Sequence, residues 1–248
     1  MDNFATAAET YYEGATSAAQ AAWDAMNDEI DGYDIADYST EEVNALTEKI
    51  NAVIAGLRAP EGSEVYTQYI VNPSFETGDF TGWTYNTAAT GDTRIADNSN
   101  ATYTIENADG KYVFNSWHGS ALTDGFWVTQ TITGLPAGKY QLNALIASDA
   151  ANVITIAANE TTSEYTLETA KGVGTEGSVT FNLATGADLV IKVSSPSWFK
   201  ADDFRLYYFG KTEITIDDVA NLIERYLNGE EGVNIQTITE LIDEYLNQ

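Results

Sequence analysis

Cysteine is absent from the 248 residues, which excludes a disulfide framework, a thiolate metal site and a cysteine nucleophile together. Stability must come from packing, with a hard metal ion as the one remaining cross-link. Bases are scarce: 11 Lys and Arg stand against 38 Asp and Glu, a net charge of −27. Phosphate backbones and anionic lipid surfaces are bound by clustered Lys and Arg, so nucleic acid and anionic lipid surfaces are not expected as partners. The imbalance is spread along the chain. Residues 1–60 carry 12 acids and 2 bases, 61–210 carry 17 and 7, and 211–248 carry 9 and 2, so no segment is a basic handle. Long apolar runs are missing too: nothing approaches the roughly 18 residues a membrane helix needs. The first thirty residues are acidic and amphipathic, without the charged-then-apolar layout of a signal peptide. An exported protein would have lost its signal already, with Met1 an added start.

What is present divides into three textures. Phe4 to Ile30 is Ala-rich, and Phe4, Tyr11, Trp23, Met26 and Ile30 fall mostly on one helical stripe. After a turn-like stretch at Asp31 to Tyr38, Ser39 with Glu42 makes a capping box, followed by Val43, Leu46, Ile50, Val53, Ile54 and Leu57 at helical spacing up to Pro60. Residues 1–60 are therefore expected to form a helical hairpin. At the other end, Ile216, Val219, Leu222, Ile223, Tyr226, Leu227 and Asn228 recur nineteen residues later as Ile235, Ile238, Leu241, Ile242, Tyr245, Leu246 and Asn247. Residues 211–248 are expected to be two like helices back to back.

Between them, residues 61–210 show short β-branched and aromatic runs separated by Gly, Asn, Asp and Pro, the pattern of an all-β sandwich. Strands are expected at Tyr112–Asn115, Phe126–Ile132, Tyr140–Ala147, Asn152–Ala157, Ser178–Leu183, Leu189–Val193 and Asp203–Phe209. Alternation puts Tyr140, Leu142, Ala144 and Ile146 on one face, with Gln141 and Asn143 pointing away. It likewise puts Phe204, Leu206 and Tyr208 inside, with Arg205 and Tyr207 outside. Gly134-Leu135-Pro136-Ala137-Gly138 reads as a turn between two strands.

The run Val71-Asn72-Pro73-Ser74-Phe75-Glu76-Thr77-Gly78, with Gly82-Trp83 after it, resembles the opening strand of the galactose-binding-like jelly rolls found as carbohydrate-binding modules. Three further stretches are similar to accessory domains of glycoside hydrolases and of surface proteins of gut bacteria: Asn107 to Trp117, Val128 to Ile132 with Leu135 to Tyr140, and Trp198 to Leu206. The resemblance implies a mainly β, jelly-roll β-sandwich, with the two helical hairpins as appendages. It also implies a non-catalytic role, secreted or at the cell surface, with a glycan or polysaccharide as partner. The tail is similar to a type I dockerin. There Asp218 sits where the last ligand of a calcium loop would be, but Tyr207, Phe209 and Lys211 stand where oxygen ligands are needed. Tyr226 and Thr237 occupy the first and last places of the second copy. Calcium requires about 6 to 8 oxygens, so both loops are expected to be metal-free.

In related jelly rolls a structural Ca²⁺ pins the first strand to the last. The residues that correspond are Glu76, Asp202 and the stretch Asn107, Asp109 to Lys111, whose backbone carbonyls would share the ion. Asp202 has the parity of inward Phe204, so its carboxylate is expected in the sandwich edge, where a cation would satisfy it. The alternatives are that it caps backbone amides or pairs with Lys200 or Arg94. Sugar binding needs flat aromatic surfaces with a few polar groups for hydroxyls. Trp83 reads as core. Trp127 alternates with Phe126 and Val128 and shares its face with Thr129 and Thr131, which makes it a candidate platform. Trp117 and His118 end a strand, and Trp198 precedes the last one. Tyr85, Asn115 and Asp124 are candidate hydroxyl partners.

Catalysis is not expected. His118 is the only histidine, and no Gly-x-Ser-x-Gly elbow occurs. Paired carboxylates prove nothing in so acidic a chain, and Gly172-Val173-Gly174 lacks the helix of a phosphate loop. A different class of function is an architectural or adhesive module, in which the sandwich is a spacer and the helical ends make protein contacts.

Overall fold

The computed structural model describes residues 11–31, 38–120, 122–168, 172–211, 216–229 and 232–246. The chain divides into two compact units, Met1–Gly210 and Lys211–Gln248. In the first, helices α1 (Ser17–Asp31) and α2 (Thr40–Leu57) precede eleven strands. The start of the helix expected from Phe4 lies outside the described residues. Within them a 3-10 turn spans Tyr12–Gly14 before α1. The Ser39 capping box is present in full, with Ser39 N–H donating to Glu42 Oε2 at 2.9 Å and Glu42 N–H to Ser39 Oγ at 3.3 Å. An ion pair between Lys49 and Glu29 links the two helices.

The strands are β1 (Glu64–Val65), β2 (Thr84–Tyr85), β3 (Arg94–Asp97), β4 (Tyr112–Ser116), β5 (Phe126–Ile132), β6 (Gly138–Ala147), β7 (Asn152–Ala158), β8 (Thr161–Leu167), β9 (Thr175–Leu183), β10 (Leu189–Ser195) and β11 (Phe199–Tyr208). They form two antiparallel sheets, in the order β3-β4-β11-β6-β9, with β1 on β11, and β2-β5-β10-β7-β8. All seven expected strands are there, within a few residues. β1, β2, β3 and β8 were not legible: the first two are two residues long, and β8 reads Thr-Thr-Ser-Glu-Tyr-Thr-Leu, too polar to announce itself. The Val71–Gly78 run is a series of turns, not an opening strand. In it Asn72 and Phe75 hold φ of 53° and 56°, and Asn72 Oδ1 accepts the Thr77 amide at 3.1 Å.

One core fills the space between the sheets. It takes Val128 and Ile132 from β5, Ile191 and Val193 from β10, Tyr140, Leu142, Ala144 and Ile146 from β6, and Phe204 and Leu206 from β11. Trp83 is buried against it, with its indole N–H on the Asn72 carbonyl at 3.0 Å. The 134–138 turn carries the chain from one sheet to the other. Gly138 sits at φ 147°, where a Cβ would lie 2.3 Å from the Gly210 carbonyl oxygen. That obstacle is backbone and cannot swing away, so Gly138→Ala is expected to lower the melting temperature by at least about 4 °C. An unchanged thermal midpoint would reject this reading of the corner.

Two expectations about β11 are corrected. Arg205 and Tyr207 do leave the core face, but they are buried, because the polypeptide around Arg58 and the β6 and β9 side chains Gln141, Asn143 and Glu176 enclose them. Arg205 Nη1 donates to Tyr207 Oη at 3.0 Å and Nη2 to Glu176 Oε2 at 2.5 Å. Asp202 also lies on the face opposite to the one alternation predicts. The pairing of β11 with β6 shifts between Asp202 and Arg205, and Asp203 adopts φ 50°. This bulge inserts a residue, so Phe199, Ala201, Phe204 and Leu206 all face the core, while Asp202 is opposite Leu145 on the outer face.

The second unit contains α3 (Ile216–Leu227) and α4 (Ile235–Leu246). Asn234 starts α4, its Oδ1 accepting the Thr237 amide at 3.1 Å. Val219 is buried, but Ile216, Leu227, Ile235 and Leu246 are exposed. Among the described residues no helix is long and apolar enough to cross a membrane.

Candidate functional site

The outer faces of the two sheets differ, and the difference locates the site. On the β3-β4-β11-β6-β9 side the segment 98–110 folds back over the strands. Ile105, Tyr103 and Ala108 pack there on Ala96, Val113, Leu145 and Ala147 as a small second core. Lys200 is fully buried beneath it, its ammonium 3.0 Å from Asp149 and 3.4 Å from the Thr104 carbonyl. Farther along, Arg58 reaches Asp203 at 2.5 Å. That face is largely covered, and what opens on it is a cleft beside α2 lined by side chains already engaged with one another.

The β2-β5-β10-β7-β8 sheet keeps its outer face open. Trp127 is partly exposed there, with Thr129 and the exposed Thr131 beyond it, as alternation in β5 required. Strand pairing adds what one strand could not show. Trp127 lies opposite Ser194, Ser194 opposite Thr155, and Thr155 opposite Glu164, one row across four strands. The neighbouring row is Thr84, Thr129, Lys192, Ala157 and Thr162. The Lys192 ammonium stands 5.6 Å from the Trp127 ring centroid. At the usual strand spacing the first row spans about 14 Å. An indole flanked by hydroxyls, one ammonium and one carboxylate is the residue chemistry a sugar ring needs. Lys192, Ser194, Thr155 and Glu164 were missed, since they join Trp127 only through register and β8 was not recognised.

The other expected ligand residues lie elsewhere. Trp117 is 40% exposed and lies against Gly91 at the end of β4. His118 is half-buried, its Nδ1 3.2 Å from Ser120 Oγ, and Asp124 is exposed in the same connection. Trp198 is half-buried against the core, and its carbonyl accepts the Asn152 amide at 3.0 Å. Tyr85 packs on the core too, stacked on Phe80 at 4.2 Å. Asn115 is buried and donates its amide to the Asp92 carbonyl at 2.5 Å. Trp117, Trp127 and Trp198 make no ring contact with one another among the described residues. They are separate features, not one aromatic cluster.

Of the residues expected to hold calcium, Asp202 and Glu76 each hydrogen-bond to the 109–112 stretch, at separate amides. Asp202 is fully buried; its Oδ2 accepts the Asp109 amide at 2.7 Å, and its Oδ1 has no hydrogen-bond partner. Lys200 and Arg94 are engaged with Asp149 and Asp92 instead. Glu76 Oε1 accepts the amides of Lys111 and Tyr112 at 2.8 and 2.7 Å, and its carboxylate lies where a Cβ on Gly110 would be. Asp109 Oδ2 takes the Ser74 hydroxyl at 2.7 Å. Asn107 holds φ 62°, and the Lys111 ammonium is turned to Asp97. Burial raises the Asp202 pKa well above the carboxylate range; the Asp109 amide opposes this and the Asp203 charge adds to it.

The chain is similar to carbohydrate-binding modules of known structure. TmCBM61, solved in complex with β-1,4-galactotriose, is 22% identical with a TM-score of 0.44, covering 56% of this chain and 97% of that one. The CBM22-1 xylan-binding domain from Paenibacillus barcinonensis Xyn10C is 13% identical with a TM-score of 0.42, over 62% of this chain and 100% of that one. A family 35 carbohydrate-binding module from Clostridium thermocellum is 15% identical with a TM-score of 0.37, over 60% and 98%. No protein-family model and no curated protein matches.

The unmatched, buried Asp202 Oδ1 is the atom a cation would fit, with the 107–111 backbone beside it and Glu76 bonded to the end of that stretch. Among the described residues no three acidic or histidine side chains converge, so backbone oxygens would have to complete any calcium shell. A cleft of about 760 Å³ lies between α2 and this segment, lined by Asn51, Arg58, Thr67, Asp109, Asp203 and Arg205. Its guanidiniums are already occupied by Asp203 and Glu176.

Proposed function

We propose that this chain is a non-catalytic, jelly-roll carbohydrate-binding module of the galactose-binding-like kind, exported or at a cell surface. Its ligand is a polysaccharide or host glycan laid across the open sheet. The observation that carries this reading is Trp127. A large indole left partly exposed at one end of a hydroxyl-lined row, while the opposite face is largely covered, is a surface kept for a ligand. Stacking of a pyranose C–H face on the ring supplies the contact area, and Thr129, Ser194 and Thr155 supply hydroxyl partners. Trp117, His118 and Asp124, on the connection after β4, are further candidates for contact with the glycan. A structural Ca²⁺ on Asp202 Oδ1, with Glu76 and backbone oxygens of 107–111, would hold the covering segment to β11.

The test is a glycan array followed by titration calorimetry on each hit. Trp127→Ala is expected to weaken binding by at least about tenfold while leaving the fold intact. Full retention of affinity in that variant, or an array without hits, would reject the reading. The exposed Ile216, Leu227, Ile235 and Leu246 favour an added role for the tail in contacting another protein. Leu227→Glu with Leu246→Glu would then abolish assembly and leave glycan binding alone, as measured by sedimentation.

A further inference from the structure

The cations of the sandwich are almost all spoken for. Arg94 is paired with Asp92, Lys111 with Asp97, Lys200 with Asp149, and Arg205 with Asp203 and Glu176. Among the described residues of this region only Lys139 and Lys192 lack a carboxylate at ion-pairing distance, in a chain with 38 acids. Lys139 lies over the Phe209 ring. Lys192 lies over Trp127, the platform itself, and is the only base among the strand residues of the open face.

Resting on the glycan reading above, we infer that the Trp127 face selects a sugar bearing an isolated anionic group, a carboxylate or a sulfate ester, which Lys192 binds. The ammonium occupies the space above the indole that a stacked sugar ring needs, so it must swing aside. A neutral sugar takes away its contact with the ring and returns nothing. An anionic substituent replaces it with a charge-assisted hydrogen bond, which is the stronger interaction. The one carboxylate on the face, Glu164, lies at the far end of the row, three strands from Trp127. It leaves the Lys192 end as the place for the anion. The net charge of −27 restricts the ligand further, because a densely charged polyanion would be repelled by the rest of the surface. A mostly neutral glycan with sparse acidic residues or branches fits both constraints.

The experiment compares glucuronoxylan, sialyllactose and a sparsely sulfated galactan, each beside its carboxyl-reduced or desulfated counterpart, by calorimetry at physiological salt. At least one acidic member is expected to bind about tenfold tighter than its neutral counterpart. The carboxylate and sulfate arms identify which anion is read. Lys192→Gln is expected to erase the difference, Lys192→Arg to retain most of it, and Trp127→Ala to remove binding of both members. Equal affinity within every pair, still lost in Trp127→Ala, would overturn the acidic preference and leave the glycan reading standing. Absence of binding to any array glycan would overturn both. A wild-type melting curve for Lys192→Gln confirms that the surface change has not disturbed the fold.

Discussion

Phe75→Ala is expected to destabilise the sandwich by about 3–5 kcal/mol, the cost of emptying a large aromatic site that cannot collapse. The ring is fully buried and meets Trp83 at 5.2 Å, Phe114 at 5.9 Å and Phe204 at 6.0 Å, so three aromatic contacts go at once. Its backbone holds φ 56°, a left-handed conformation that alanine must also adopt, so truncation relieves no strain. Domains of this kind have only about 5–15 kcal/mol in total, so the variant should sit near its unfolding transition at moderate temperature. Urea titration measures it: the midpoint should fall with little change in slope. Phe75→Leu, which keeps most of the volume, should recover part of the loss. A loss below about 1 kcal/mol would mean that the turn at 72–78 is not anchored by this ring.

Asp202→Asn is expected to change sign with calcium. Burial raises the pKa of Asp202, so its contribution to stability is fully present below the ordinary carboxylate range and lost as pH rises through the raised value. In chelator, above the ordinary carboxylate range, keeping this buried carboxyl is therefore a liability, and asparagine, whose side-chain oxygen can still accept the Asp109 amide, should melt at least as high as wild type. With calcium at about 100 times its dissociation constant, wild type should gain about 2.7 kcal/mol and the variant little or nothing. For a domain this size that is a rise of roughly 5–11 °C. A wild-type melting temperature equal in chelator and in calcium would remove the metal from the account. The acid-side stabilisation in chelator, measured as the difference between wild type and Asp202→Asn, would remain.

The two effects belong to neighbouring parts of the fold, because the 72–78 turns pack against the last strand beside Asp202. Residues 72–78 press Phe75 into the core, while Pro73 accepts the Phe204 amide at 3.1 Å and Glu76 holds the amides at 111 and 112. Those bonds, with the Asp109 amide on Asp202, fasten the end of the 98–111 segment over one sheet.

Much of this was legible from residue order alone, because it depends on local periodicity. The strands β5, β6, β7, β9 and β10, the capping box at Ser39, the buried Trp83 and the outward Trp127 follow from which side chains alternate or recur, and alternation is a property of the backbone itself. Three features required the folded chain. The bulge at Asp203 reversed the parity of β11, so Asp202 was rightly expected to be buried but on the wrong face. Arg205 and Tyr207 were placed in solvent because nothing in β11 reveals that distant segments cover it. The row from Trp127 to Glu164 joins residues 37 positions apart through four strands, and the adjoining row brings Lys192 beside Trp127. Register between strands is set by how whole sheets pack, so the neighbours that give an exposed indole its chemistry were decided only by the tertiary structure.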